Sequence, residues 1–277
     1  MQTRPAIRVY LVAAFAAALL LAAAPARAQF KPKPLNDPAT GETYKIEASA
    51  GYWFPTTTGT ISSESLGIIG SNINLVSDLG LTDTHFPDLK LQVRPAKKHK
   101  FRFEYLPISY QQSTTFSRDI VFNGQTYHIG LPVNSSLDWQ LFRFGYEYDF
   151  LYHNKWFAGF IMEAKYTNVD ATLTSPLTQL TEFAKAQAPI PAIGGTFRYY
   201  VVPNIAITGE LTGVFVPNIR NEYEAHYADV DIYGTVNFTN NLGAQVGWRS
   251  MNIFYLFKHD TGTLNFGGMY FSVVARY

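Results

Sequence analysis

Cysteine is absent from the 277 residues, which excludes disulfides, thiolate nucleophiles and cysteine-ligated metals. It also excludes anchoring through an acylated N-terminal cysteine, so any membrane contact must come from the fold. Charge of one sign is not in excess, since 22 basic residues stand against 21 acidic ones. A nucleic-acid partner is therefore not expected, because such binders usually carry a basic stripe. Beyond residue 25 no run approaches the roughly 20 apolar residues of a spanning helix, and no stretch sustains a helical period. No close His-x3-His or carboxylate-rich spacing suggests a metal, and no Gly-rich phosphate loop precedes a helix. Neither a cofactor nor a metal is expected.

The chain opens with Arg4 and Arg8, continues through the apolar run from Val9 to Ala24, and reaches Ala26-Arg27-Ala28 before Gln29. That order describes a secretory signal peptide over 1–28. The apolar run is too short for a membrane anchor, and small residues follow it where cleavage would occur. Residues 29–42, with three prolines up to Gly41, read as a flexible periplasmic lead-in. Residues 43–277 form the remaining domain.

In that domain apolar and polar residues alternate at period two, the signature of strands with two unlike faces. Phe142, Phe144, Tyr146, Tyr148 and Phe150 oppose Arg143, Gly145, Glu147 and Asp149. Trp156, Ala158, Phe160, Met162, Ala164 and Tyr166 oppose Gly159, Glu163, Lys165 and Thr167. Phe101, Phe103 and Tyr105 oppose Arg102 and Glu104. A soluble antiparallel sheet also alternates. Here, however, the apolar face is long and aromatic, with Trp53, Phe54, Phe150, Tyr152 and Trp156 toward strand ends, as in interfacial girdles. The opposite face carries charge that a sandwich core would not accept unpaired. Tight turns at 94–99, 151–155, 202–204 and 239–241 alternate with longer polar connections at 61–81, 109–135, 170–183 and 217–226. The expected fold is all-β: a closed antiparallel transmembrane up-and-down β-barrel of about ten strands, with eight or twelve as alternatives. Asn123-Gly124 between short apolar runs marks a type I′ hairpin in the second outer loop.

With the apolar parity toward lipid, the other parity faces the lumen. It places there the cations Lys45, Lys90, Arg102, Arg143, Lys165, Arg198, Arg249 and Arg276, and the acids Glu47, Asp88, Glu104, Glu147, Glu163, Glu210, Asp229 and Asp231. Charge in a narrow, low-dielectric cylinder is tolerable when paired. A lumen of this size is expected to be filled by an ion-pair network, with a selective polar channel as the alternative. In the last third, Ser250 and Asn252 fall on the lipid parity while Met251, Ile253 and Tyr255 fall inside. A β-bulge near Ser250 would restore the pattern.

The last strand, Gly268 to Tyr277, places Met269, Phe271 and Val273 on one parity back to a terminal Tyr277. It resembles the C-terminal signal of bacterial outer-membrane β-barrel proteins, whose ending is most often Phe. With the leader, the resemblance covers nearly the whole mature chain and is to the superfamily of small outer-membrane barrels. It implies export through the periplasm with chaperones, insertion by the barrel assembly machinery, and outer-membrane lipids as partners. It implies no substrate. Three roles follow as expectations: a structural or porin-like barrel, an outer-membrane hydrolase, or an adhesin or receptor with Tyr110, Tyr127 and Tyr223 as loop contacts. The hydrolase reading rests on His85, His128, His226 and His259, and on Asp83-x-His85 and Asp229-x-Asp231. These loosely resemble the acidic and His-Asp pairs of the omptin proteases, in reversed order. It requires His85 and Asp229 to meet at the outer rim. His99 and His153 belong to turns. No catalytic residue is assigned.

Overall fold

A computed structural model describes residues 42–64, 68–177, 181–258 and 260–277, with side chains in 181–186 and at 188 left aside. The signal peptide and all but the last residue of the lead-in lie outside the described residues, as does His259.

Among the described residues thirteen strands occur: β1 (Ile46–Ser62), β2 (Ile73–Asn74), β3 (Phe86–Ala96), β4 (His99–Thr115), β5 (Ile120–Phe122), β6 (Gln125–Tyr127), β7 (Pro132–Tyr152), β8 (Trp156–Thr174), β9 (Thr181–Val202), β10 (Ile205–Ile219), β11 (Tyr223–Asn237), β12 (Leu242–Phe257) and β13 (Asp260–Arg276). Ten of them pair antiparallel with their neighbours in chain order, and β1 pairs with β13 from Glu47↔Arg276 to Ser62↔Thr261, closing the barrel. Closure leaves no sheet edge, as a strand-built membrane span requires. The two-residue β2 pairs with β1, and β5–β6 forms a separate hairpin. Asn123 and Gly124 take φ of 49° and 80°, the two left-handed residues that a type I′ turn needs.

The strands reach 22 residues, about twice the roughly 9–11 needed to cross the apolar core of a membrane. The extra length lies at the outer end. Segments of the sequence that read as long loops, such as 109–115, 132–135 and 170–174, continue β4, β7 and β8 instead.

Along this extension both faces change character. The outward positions of β7 run Phe150, Tyr148, Tyr146, Phe144, Phe142 and then Gln140, Asp138, Ser136, Asn134. Its inward positions run Asp149, Glu147, Gly145, Arg143 and then Leu141, Trp139, Leu137, Val133, with Ser135 the exception. The wall is greasy outside and charged inside at the end that carries the tight turns. At the outer end it is polar outside and apolar inside. Toward that end the apolar side chains gather inside the closed wall, where they are removed from water, and the polar ones face out.

The same switch explains Ser250 and Asn252. Pairing of β12 with both β11 and β13 runs without interruption through this region, so the expected bulge does not occur. Met251 is fully buried inside, and Ser250 is where β12 leaves the apolar band. Trp53 is corrected in the same way. It points inward, is fully buried, and donates from its indole N–H to the Gly268 carbonyl at 3.2 Å, so it is no girdle residue.

Candidate functional site

Among the described residues, the strands bring many ionisable groups together in the interior. At its centre Asp229 accepts from Arg249 through Nε–Oδ1 at 3.0 Å and Nη2–Oδ2 at 2.8 Å. It also accepts from Lys165 at 3.0 Å, from the Tyr227 hydroxyl at 3.1 Å, and from Arg143. Arg249 reaches on to Glu104, and Glu104 pairs with Arg143 at 3.2 Å. Glu163 takes Lys165 at 2.9 Å and a hydrogen bond from Thr212 at 2.6 Å. Every full charge here has an opposite charge beside it, the condition under which buried ions are tolerated.

Two branches leave the centre. In one, Lys90 lies 3.3 Å from both Asp88 and Asp231, and Tyr270 donates to Asp231 at 2.9 Å. In the other, Arg102 joins Glu147 at 2.9 Å and also Glu210, while Lys100 bridges Glu147 at 2.7 Å and Asp149 at 3.0 Å. Nearer the end of the tight turns, Arg276 donates from Nε to Glu47 at 2.5 Å, and Arg198 pairs with Glu42 at 3.1 Å.

Of the sixteen lumen residues named from sequence, fifteen lie in this network; Lys45 does not. It is exposed one residue before β1, because the wall ends there. Four members escaped the sequence reading. Lys100 and Asp149 share the parity of Arg102 and Glu147, so alternation alone could have found them. Arg94 sits beside a turn, and Glu42 precedes the first strand, where no periodicity signals an inward position. Glu42, assigned to the flexible lead-in, is in fact buried in the mouth at the tight-turn end against Arg94, Arg198 and Tyr200. Burial pushes its carboxyl up, but Lys100, Arg198 and Arg94 with the Tyr200 hydroxyl outweigh that and hold it below the usual range.

Space inside is small. A polar cavity between Glu47, Lys90, Arg102, Glu210 and Gln245 measures about 40 Å³, room for a few water molecules at most. Above the ions, Trp53, Phe86, Leu106, Ile108, Trp139, Leu141, Met251 and Phe266 form a continuous apolar core. The outer connections close over it. Ile73, Leu75, Leu79 and Leu81 descend from the segment 63–85, and Phe116, Ile120, Phe122 and Tyr127 from the hairpin region. The two pieces are tied by Ser71 N–H to the Val121 carbonyl at 2.8 Å and by Arg118 to Asp78, with Nη2–Oδ2 at 2.6 Å. Tyr110 and Tyr127 are thus internal and cannot be loop contacts; Tyr223 is half-buried.

The described histidines do not converge on Asp229 or Asp231. His85 sits on the outer face against Phe54 and Tyr52, at ring distances of 5.5 and 5.4 Å, whereas Asp229 lies inside the wall. Asp83 is exposed and accepts from Thr56 at 3.0 Å. His128 is exposed in the hairpin, 3.5 Å from Asp119. His226 stacks outside on Phe215 at 4.5 Å, with Glu224 at 3.1 Å. His99 contacts the Tyr146 hydroxyl at 2.6 Å, and His153 lies against Trp156. The hydrolytic pair of His85 and Asp229 is therefore not formed, because the barrel wall separates its members. Met269, Phe271, Val273 and Tyr277 all face outward and are exposed.

No protein-family model matches the sequence, and no curated protein matches it. Among solved structures, the outer-membrane protease OmpT from Escherichia coli overlays with a TM-score of 0.55 at 10% identity, covering 84% of this chain and 96% of that one. Ail, the attachment invasion locus protein of Yersinia pestis, gives 0.36 at 7% identity over 82% of this chain and 99% of its own. The P. putida toluene transporter TodX gives 0.32 at 10% identity over 88% and 93%. The last two overlay too loosely to bear on this chain, and the first speaks for architecture alone. In architecture the chain is a closed ten-stranded antiparallel β-barrel of the kind built by outer-membrane proteins.

Proposed function

We propose that this protein is an integral outer-membrane barrel with a permanently filled lumen. It acts as a structural element of the envelope through its outer wall and cap rather than as a pore. The reading is supported above all by the stacking of two fillings: paired charges in the periplasmic half and an apolar core under tied loops in the outer half. A channel needs a continuous wet path, and here both halves would have to be dismantled to make one. Export through the periplasm, and recognition of Met269, Phe271, Val273 and Tyr277 by the assembly machinery, belong to the same reading. The exposed apolar belt, including Phe144, Phe160, Leu211, Ile232 and Phe271, would face lipid acyl chains.

Planar-bilayer recording of the refolded protein tests this. No unitary current steps are expected at protein-to-lipid ratios at which a known porin conducts. Steady steps from the folded barrel would overturn the filled-lumen reading.

A further inference from the structure

The outward wall of β4, β7 and β8 is laid out in transverse rows by strand register. The last aromatic row is Tyr105, Phe142 and Tyr166. Two rows above it stand Ser109, Asp138 and Asp170; then come Gln111, Ser136 and Thr172; then Ser113, Asn134 and Thr174. The upper two rows, together with Gln112 and Ser135, line an open groove of about 360 Å³. Its lining is hydroxyl and amide, unlike the mostly apolar lining of typical ligand pockets.

We propose that this groove binds neutral sugar units of the glycolipid whose acyl chains cover the aromatic row below. Three features argue for that occupant. The groove continues the lipid-facing surface upward on the same three strands, so a lipid seated on Tyr105, Phe142 and Tyr166 carries its headgroup past it. Hydroxyl and amide side chains both donate and accept, which suits an equally two-sided polyol. No lysine or arginine points outward from these strands above the aromatic row, and two carboxylates, Asp138 and Asp170, stand opposite each other there. On the adjacent strand, Lys185 of β9 is in register with Asp170. Asp138, which accepts from the Ser109 hydroxyl at 2.6 Å, places negative charge just below the groove, and that charge disfavours a phosphate there. This inference needs the barrel to sit in the membrane as its apolar belt indicates, and does not depend on whether the lumen conducts.

The test uses the folded full-length barrel in detergent micelles. The probe is the oligosaccharide released from lipopolysaccharide by mild acid, with its phosphates intact and after their removal. Calorimetry should give saturable binding of both forms with similar affinity, unaffected by chelator or high salt. Replacing Asn134→Leu with Ser136→Leu should weaken it about tenfold, since two hydrogen-bonding positions are lost. Thr58→Leu, on the outward face of β1, should leave it unchanged. The proposal is overturned by no binding, by binding only of the phosphorylated form, by loss with chelator, or by unchanged affinity in the double variant. Heat-dependent gel mobility verifies folding; should the double variant not fold, Gln111→Leu alone replaces it and must show weakened binding.

Discussion

Asp229 and Arg249 meet as two forks across neighbouring strands, with both guanidinium–carboxylate hydrogen bonds at 3.0 Å or less. Planar bidentate pairing is the strong form of the ion pair, and here it anchors Arg143 and Lys165 as well. Asp229→Asn keeps the shape but leaves three buried cations short of a counter-charge. Removing one partner of a buried pair costs about 3–5 kcal/mol. A loss of that order is expected in urea unfolding of the barrel in detergent or lipid. A loss below about 1 kcal/mol would mean that the network is wet and screened.

The change of face along β7 fixes where the membrane ends, and arginine substitutions read it out. Phe144→Arg places a cation in the apolar belt and should cost about 2–4 kcal/mol, whereas Ser136→Arg, four rows higher, should cost about 0–1 kcal/mol. Equal penalties at the two sites would show that the outer extension is not in water.

Phe266 lies between Trp53 at 6.1 Å and Trp139 at 5.5 Å in the apolar half of the lumen. Truncating a buried Phe typically costs about 3–5 kcal/mol. Phe266→Ala should show that loss in unfolding. It should also speed amide exchange in the residues that rest on it more than in the ion-pair half. Uniform exchange across both halves would contradict a two-part filling.

The cap should loosen in acid. Hydrogen bonds from Arg118 hold the Asp78 carboxyl below its ordinary value, outweighing partial burial, with the Asn74 backbone N–H adding to the effect. A carboxyl lowered on folding contributes stability that is complete above its unfolded pKa, about 3.9, and is lost as pH falls through the folded value. Protease protection of 116–131 should therefore hold from neutrality to about pH 5 and fall in stronger acid. Asp78→Asn should lower protection already at neutral pH and remove that part of the acid step. An acid step of full size in the variant would assign it to another group.

Much of this protein was determined by its sequence alone, because strand alternation is a local property. Residues two apart share a face whatever the rest of the chain does, so Phe142 to Phe150 against Arg143 to Asp149 already divides outside from inside. Tight turns then count the strands, and Asn123-Gly124 identifies its hairpin. Only the tertiary structure decided who meets whom. Glu47 and Arg276 are 229 residues apart and touch because the first strand closes on the last. Glu42 and Arg94 are drawn in by a mouth that exists only after closure. The reversal that buries Trp53, Tyr110 and Met251 depends on the height along the finished barrel at which the apolar face turns inward, and period two carries no record of that height. His85 and Asp229 likewise each suggested chemistry on the linear chain, but whether a wall stands between two residues is settled only when the sheet curls shut.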